Sequence, residues 1–232
     1  MRALAGMTIV AIVGLLLTVI GLVTFNEGSA LIGLCVLLGL SIKGMDQAVD
    51  LDSMSGRRQY AYLFAAGIPV ITIYLALHEG PVFGMILGTA IGLLLAGKWD
   101  HPAFFVAGIG FISFSFGFIL LFDVELVMTT YYLVPMAAVG NYLDEFAHDR
   151  TAGTGGIAER YMEHRPILKV VGLIAVLIGF AEWIHLAGLL AFDLSYDLIA
   201  VLWKDRDGPG RPGDRAPRPF SSPEPDRPST EG

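Results

Sequence analysis

GPVFGMILGTAIGLLLAGK, residues 80–98, carries no charge before its final lysine. Glycine recurs at Gly80, Gly84, Gly88 and Gly92, and Ala96 continues the spacing of four. On a helix, residues four apart share a face. Such a stripe of small residues lets a second backbone approach closely, and in lipid it is van der Waals contact that drives helices together. The stretch therefore reads as a membrane helix, Val82–Ala96, packed through its glycine face. The partner is another helix of the same chain or, by self-association through Gly80, Gly84, Gly88 and Gly92, a second copy.

The rest of the chain agrees with a bilayer environment. Of 232 residues, 54% are hydrophobic, and the mean hydropathy is +0.64. Only 16% are charged, against roughly 25% in ordinary soluble domains. A soluble core cannot absorb that much apolar surface, whereas apolar runs of about 20 residues suit a bilayer. The single cysteine, Cys35, excludes a disulfide framework and any CxxC metal or redox motif. The first apolar run is too long for a signal-peptide core and lacks a clear cleavage site, so no cleaved leader is expected.

Eight apolar segments are expected to be helical: Leu4–Phe25, Ser29–Lys43, Tyr60–Leu77, Val82–Ala96, Pro102–Phe122, Leu126–Leu143, Ile167–Ile184 and Leu186–Trp203. Lysine and arginine give an independent test of that count. They fall at Arg2, at Lys43, Arg57 and Arg58, at Lys98, at Arg150, Arg160, Arg165 and Lys169, and in the tail from Lys204. The alternate connections carry none. The positive-inside rule then puts both termini in the cytoplasm of a cell-membrane protein. Residues 1–204 form the transmembrane domain. Residues 205–232, rich in Pro, Gly, Asp and Arg, cannot bury enough surface to offset ordering and are expected to be a disordered cytoplasmic tail. The fold class is all-α: a polytopic helical bundle of about eight transmembrane helices.

Chemistry concentrates in two acidic stretches, each after an even-numbered span and on the same expected side. The first is KGMDQAVDLDSMSGRR, residues 43–58, with Asp46 and Asp50 four apart. The second is NYLDEFAHDRTAGTGG, residues 141–156, with Asp144, Glu145 and Asp149. Their matched placement suggests two parallel four-helix halves. Two carboxylate clusters brought together repel unless cations intervene. Carboxylate oxygens suit Mg²⁺, which often bridges to phosphate. Arg57, Arg58 and Arg150 could hold phosphate oxygens. Asp46, Asp50, Asp144, Glu145 and Asp149 are thus the candidate metal ligands, and the four aspartates the candidate catalytic groups.

These two stretches, with the helix layout, resemble the UbiA superfamily of intramembrane prenyltransferases. Its first motif is typically N-D-x-x-D-x-x-x-D and its second D-x-x-D-x-x-x-D. Asp46 and Asp50 match the last two aspartates of the first, with Ile42 and Lys43 standing where Asn and Asp precede them. Asp144 matches in the second, Asn141 stands at its first aspartate, and Asp149 comes one residue late, followed by RTAG. The resemblance implies transfer of an isoprenoid chain from a diphosphate, with Mg²⁺ on the aspartates and the chain in an apolar cavity.

Two further expectations compete. Asp193 and Asp197, four apart in the last apolar segment with Glu182, His185 and Tyr196 nearby in sequence, suggest an ion-coupled transporter, because intramembrane acids are costly. A non-catalytic membrane protein assembling through the glycine face is the other. His78–Glu79 and Lys98–His101 read as interfacial anchors. No HExxH, GxSxG, Walker or GxGxxG pattern supports a protease, hydrolase, NTPase or Rossmann enzyme. No basic stripe points to nucleic acid.

Overall fold

Uncharged runs of this length form helices because lipid offers no partner for an open backbone amide. The computed structural model describes residues 2–24, 26–50, 58–99, 102–121, 128–162 and 164–204. All regular structure among them is helical: α1 Arg2–Thr24, α2 Glu27–Asp50, α3 Arg58–His78, α4 Gly80–Leu95, α5 Pro102–Leu121, α6 Met128–Thr151, α7 Ile157–Met162, α8 Pro166–Leu177 and α9 Trp183–Lys204. Each of the eight expected segments contains a helix. Within α1, α2, α5 and α9, four stretches are long and apolar enough to cross a membrane: Met7–Thr24, Glu27–Ala48, Pro102–Leu121 and Trp183–Leu202. The expected tail at 205–232, and Arg57, lie outside the described residues.

The outer surface is that of a membrane helix bundle. Val13, Leu16, Ile20 and Val23 of α1 stand exposed, as do Phe105, Phe114 and Phe116 of α5. Leu120 and Leu121 are 80% and 81% exposed. Apolar patches of that extent do not persist in water.

Inside, small residues decide which helices touch. A Cβ built at Gly84 would lie 3.0 Å from the Thr130 carbonyl oxygen, one at Gly88 2.7 Å from Ala137 Cβ, and one at Gly92 2.6 Å from the Ala138 carbonyl oxygen. The glycine face of α4 is therefore filled by the backbone of α6 in the same chain. Gly21 and Gly33 do the same for the α1–α2 seam, against Ala30 and Thr18, and Gly39 of α2 lies on Phe192 and Ser195 of α9. The most extensive packing pairs include α4 with α6 and α2 with α9, and α5 packs chiefly on α3. These contacts interleave the two expected halves.

The seventh expected segment, Ile167–Ile184, is only partly helical. α8 stops at Leu177 because Gly179 takes φ +80° and the Phe180 N–H closes back on the Ala175 carbonyl at 2.8 Å. Its 12 residues reach about 18 Å at about 1.5 Å per residue, well short of a hydrocarbon core of about 30 Å. The apolar stretches of α3 (Phe64–His78) and α4 are also short. A similar turn ends α4. Gly97, at φ +71°, lets the Lys98 N–H bond the Leu93 carbonyl at 3.0 Å, which starts the chain back across the end of α4.

Candidate functional site

The charged residues of five helix ends meet at one end of the bundle. Asp144 sits in the last third of α6, fully buried. Its Oδ1 accepts the Ile167 N–H at 2.9 Å and its Oδ2 the Leu168 N–H at 2.7 Å. Those are first-turn amides of α8, which lack partners within their own helix. The residue before that helix, Arg165, offers them no side-chain cap and stands at φ 46°. Asp144 thus caps a neighbouring helix, where the helix dipole also favours negative charge. Burial pushes its carboxyl above the usual range, and Glu145 adds to the rise. The two amides and Arg165 pull the other way without overcoming it.

The neighbouring acids are answered by bases of the chain itself. Glu145, buried, has Oε1 2.8 Å from Arg165 Nη2 and Oε2 3.8 Å from Lys98 Nζ. Lys98, delivered by the Gly97 turn, also bonds both oxygens of Asp149 at 2.7 and 3.0 Å. Asp46 pairs with Lys43, three residues earlier on α2. Lys43 stands where the prenyltransferase motif has an aspartate. Arg150 stacks on Phe146, 4.6 Å from its ring centre. Asn141, at the other motif position, donates to the Thr89 carbonyl at 3.3 Å inside the α4–α6 seam.

Tyr196 of α9 joins the two acidic stretches. Lys43 Nζ lies 4.8 Å from its ring centre and the Arg165 guanidinium carbon 5.2 Å. One ring so takes a cation from α2 and another from the segment before α8, each within cation–π range. Asp193 and Asp197 belong to the same end. Lys169 reaches Asp193 at 2.6 Å, and His164 Nδ1 lies 3.1 Å from Asp197. The backbones of Asp50 and Arg58 place them at the end of α2 and the start of α3; their side chains are outside the description.

No group of three or more His, Cys, Asp or Glu side chains among the described residues is arranged to hold a metal. The donor chemistry accounts for this. Asp144 spends both oxygens on amides, while Asp46, Glu145 and Asp149 each face a lysine or arginine. As they stand, these carboxylates do not offer Mg²⁺ a shared set of open oxygens. Basic residues at Lys43, Lys98 and Arg165 were each visible in sequence as loop charges. What sequence spacing could not show is that they neutralise the acids pair by pair.

Beside this charged end lies an apolar cavity of about 860 Å³, counted out to its mouth. Its walls come from α2, α3, α4, α5 and α9 and run from Val82 to Leu93 along α4. The stretch from Val82 to Leu93 corresponds to about 16 Å of helix. Trp99 and Phe104 line one end. Gly108 makes room there, since a Cβ on it would fall within the Trp99 ring. Phe192 lines the cavity and also packs on Tyr196, 6.4 Å between ring centres, so one wall touches the ring that gathers Lys43 and Arg165. At the other end the lining includes His185, which pairs with Glu79.

No protein-family model, no curated protein and no solved structure matches the chain.

Proposed function

We propose that the chain crosses the membrane eight times, the short α8 and the turn after it together making the seventh crossing, with both termini in the cytoplasm, and that it binds a lipid or prenyl diphosphate. The apolar chain occupies the cavity and the headgroup lies at the charged bundle end. The observation that carries this reading is the cavity itself. It is apolar along its length, and its Phe192 wall contacts the Tyr196 ring on which two cations converge. The ends of α2, α4, α6 and α9 and the start of α8 share that end, as the basic-residue count expects for a cytoplasmic face.

A diphosphate entering here exchanges the carboxylate partners of Lys43, Lys98 and Arg165 for phosphate oxygens, and Arg165 supplies a planar fork for them. The carboxylates so released, Asp46, Glu145 and Asp149, then become available to Mg²⁺ arriving with the diphosphate. Prenyl transfer is the reaction class that the motif resemblance implies for such a complex. The transporter reading draws less support, because Asp193 and Asp197 already have Lys169 and His164 as partners.

The test is thermal stability of the purified protein with a prenyl diphosphate, the matching prenyl alcohol, and inorganic diphosphate, each with and without Mg²⁺. The reading expects the prenyl diphosphate to stabilise most, and Lys43→Gln and Arg165→Gln to reduce that gain. If the diphosphate-headed chain stabilises no more than inorganic diphosphate does, the proposal fails.

A further inference from the structure

Where the cavity meets the charged bundle end, an indole stands in the way. Ile42, the residue before Lys43, lines the cavity there, and so do Leu93, Trp99, Phe104 and Gly108. Trp99 fills the notch that Gly108 leaves, since a Cβ on Gly108 would collide with three carbons of the indole. The ring therefore reaches from the turn after α4 across to α5. Because α5 itself packs chiefly on α3, the indole spans the gap between α4 and α5 at this end.

The segment that carries the indole is tethered by its charge. Gly97 takes φ +71°, and a Cβ on it would meet nothing within 4 Å. Lys98 comes next, its Nζ 2.7 Å from Asp149 and 3.8 Å from Glu145, both on α6. Trp99 is one peptide further on. Asp149 is 57% exposed, and an ion pair so exposed is weak. A phosphate oxygen, which forms short charge-assisted bonds with a lysine, can replace it. A hydroxyl carries no charge to compete with the carboxylate. We infer that Trp99 is the specificity-determining residue of the cavity: seated on Gly108 and tethered through Lys98, it admits a long apolar chain only behind an anionic headgroup that draws Lys98 from Asp149. A chain headed by a hydroxyl leaves Lys98 on its acids and the indole in its notch, so the wrong ligand meets a steric obstacle that the right one removes. This role rests on the proposed diphosphate binding and assigns the residue that enforces the headgroup's charge.

A prenyl diphosphate and the alcohol of the same chain are compared by thermal stabilisation of native protein, Trp99→Ala, Gly108→Ala and Lys98→Met. Native protein should gain from the diphosphate and not from the alcohol. Trp99→Ala removes the stopper and Gly108→Ala pushes the indole out of its notch, so each should acquire a gain from the alcohol that native protein lacks. Lys98→Met should lose part of the diphosphate gain and acquire an alcohol gain, a reversal that general destabilisation does not produce. With Trp183→Phe and Trp203→Phe, Trp99 is the one remaining tryptophan, and acrylamide quenching of its emission reads the seat directly. Inorganic diphosphate should raise that quenching when Lys98 is present and leave it unchanged in Lys98→Met. This arm needs no change at Trp99 or Gly108 that folds. An alcohol that stabilises native protein as much as it stabilises Trp99→Ala and Gly108→Ala overturns the inference. Quenching that stays constant while inorganic diphosphate stabilises the protein overturns it too, and then the headgroup site stands and the stopper falls alone. If neither prenyl nor inorganic diphosphate stabilises native protein, both proposals fall, since the stopper needs a headgroup that Lys98 can follow.

Discussion

Replacing Asp144 separates a capping role from a metal-binding one. Asp144→Ala removes both acceptors from the Ile167 and Leu168 amides and leaves two N–H groups unpaired in a buried position. Hydrogen bonds to a charged group are worth about 1.5–3 kcal/mol each, whereas a whole N-cap substitution costs about 0.5–2 kcal/mol. A loss of about 3 kcal/mol reconciles the two, since burial of the charge already offsets part of the gain. Asp144→Asn keeps one acceptor oxygen and removes the buried charge, so about 1 kcal/mol is expected. The pH dependence has a definite sign. Burial raises the folded carboxyl above its ordinary value, so the folded state binds more protons than the unfolded one between the two values. Stability then falls as pH rises from the unfolded value, near 4, through the raised folded value, and is level above it. The difference between native protein and Asp144→Asn isolates this slope from other groups. The assay is thermal denaturation in detergent across that range, with hydrogen exchange of the first turn of α8. A loss of about 3 kcal/mol appears there as roughly a hundredfold faster exchange if opening is local. Unchanged exchange at Ile167 and Leu168 in Asp144→Ala, together with loss of Mg²⁺-dependent stabilisation by diphosphate, would refute the capping argument and return Asp144 to the metal.

Three further outcomes follow from the geometry. Gly88→Ala should cost about 1–3 kcal/mol by overpacking the α4–α6 seam. Gly117→Ala on α5, where a Cβ meets nothing within 4 Å, should be neutral or stabilise by up to about 1 kcal/mol; thermal denaturation of both variants checks the contrast, and equal effects would contradict the packing account. Arg165→Met should cost about 3–5 kcal/mol because it strands the buried Glu145 charge, while Lys98→Met, whose nearest partner Asp149 is exposed, should cost less than about 1 kcal/mol. In a Cys35→Ala background, Thr154→Cys should react with an impermeant thiol reagent only from the cytoplasmic side and Glu182→Cys only from the outer side. Reaction of both from one side would break the eight-span topology.

Helix positions were legible in the sequence because lipid imposes one rule, that backbone amides pair within a segment, and runs without charge report it directly. The failure at Ile167–Ile184 has a local cause. Hydropathy does not register a glycine that turns left-handed, and Gly179 ends α8 seven residues before the apolar run does. The glycine spacing of α4 correctly marked a close seam. It could not name α6 as the partner, because a stripe of small residues records what may approach and not who does. The paired halves suggested by the two acidic stretches met the same limit. Similar motifs fix neither which helices pack nor in what order, and α4–α6 and α2–α9 contacts cross between the halves.

The candidate site shows the limit in its charges. Spacing placed Asp46 and Asp50 on one helix and Asp144, Glu145 and Asp149 on another, but the partners of Asp144, Glu145 and Asp149 come from far along the chain. Lys98 reaches Asp149 because Gly97 turns the chain back, and Ile167 and Leu168 meet Asp144 because α8 starts against α6. Lys43 marks the difference from the motif it interrupts. Where a third aspartate would add negative charge that only a metal could balance, a lysine balances Asp46 within the chain and turns its charge to Tyr196. A cluster neutralised by its own bases is stable without a ligand. Under the proposed function, an anion would bind there by exchange of partners, and the strength of that exchange would depend on how weakly Lys43, Lys98 and Arg165 hold the acids they now face. Of these, Lys98 holds the most exposed acid, Asp149, and Arg165 the most buried, Glu145. A headgroup that enters should therefore capture Lys98 first, so that Lys98→Met, nearly neutral for stability, would weaken diphosphate binding.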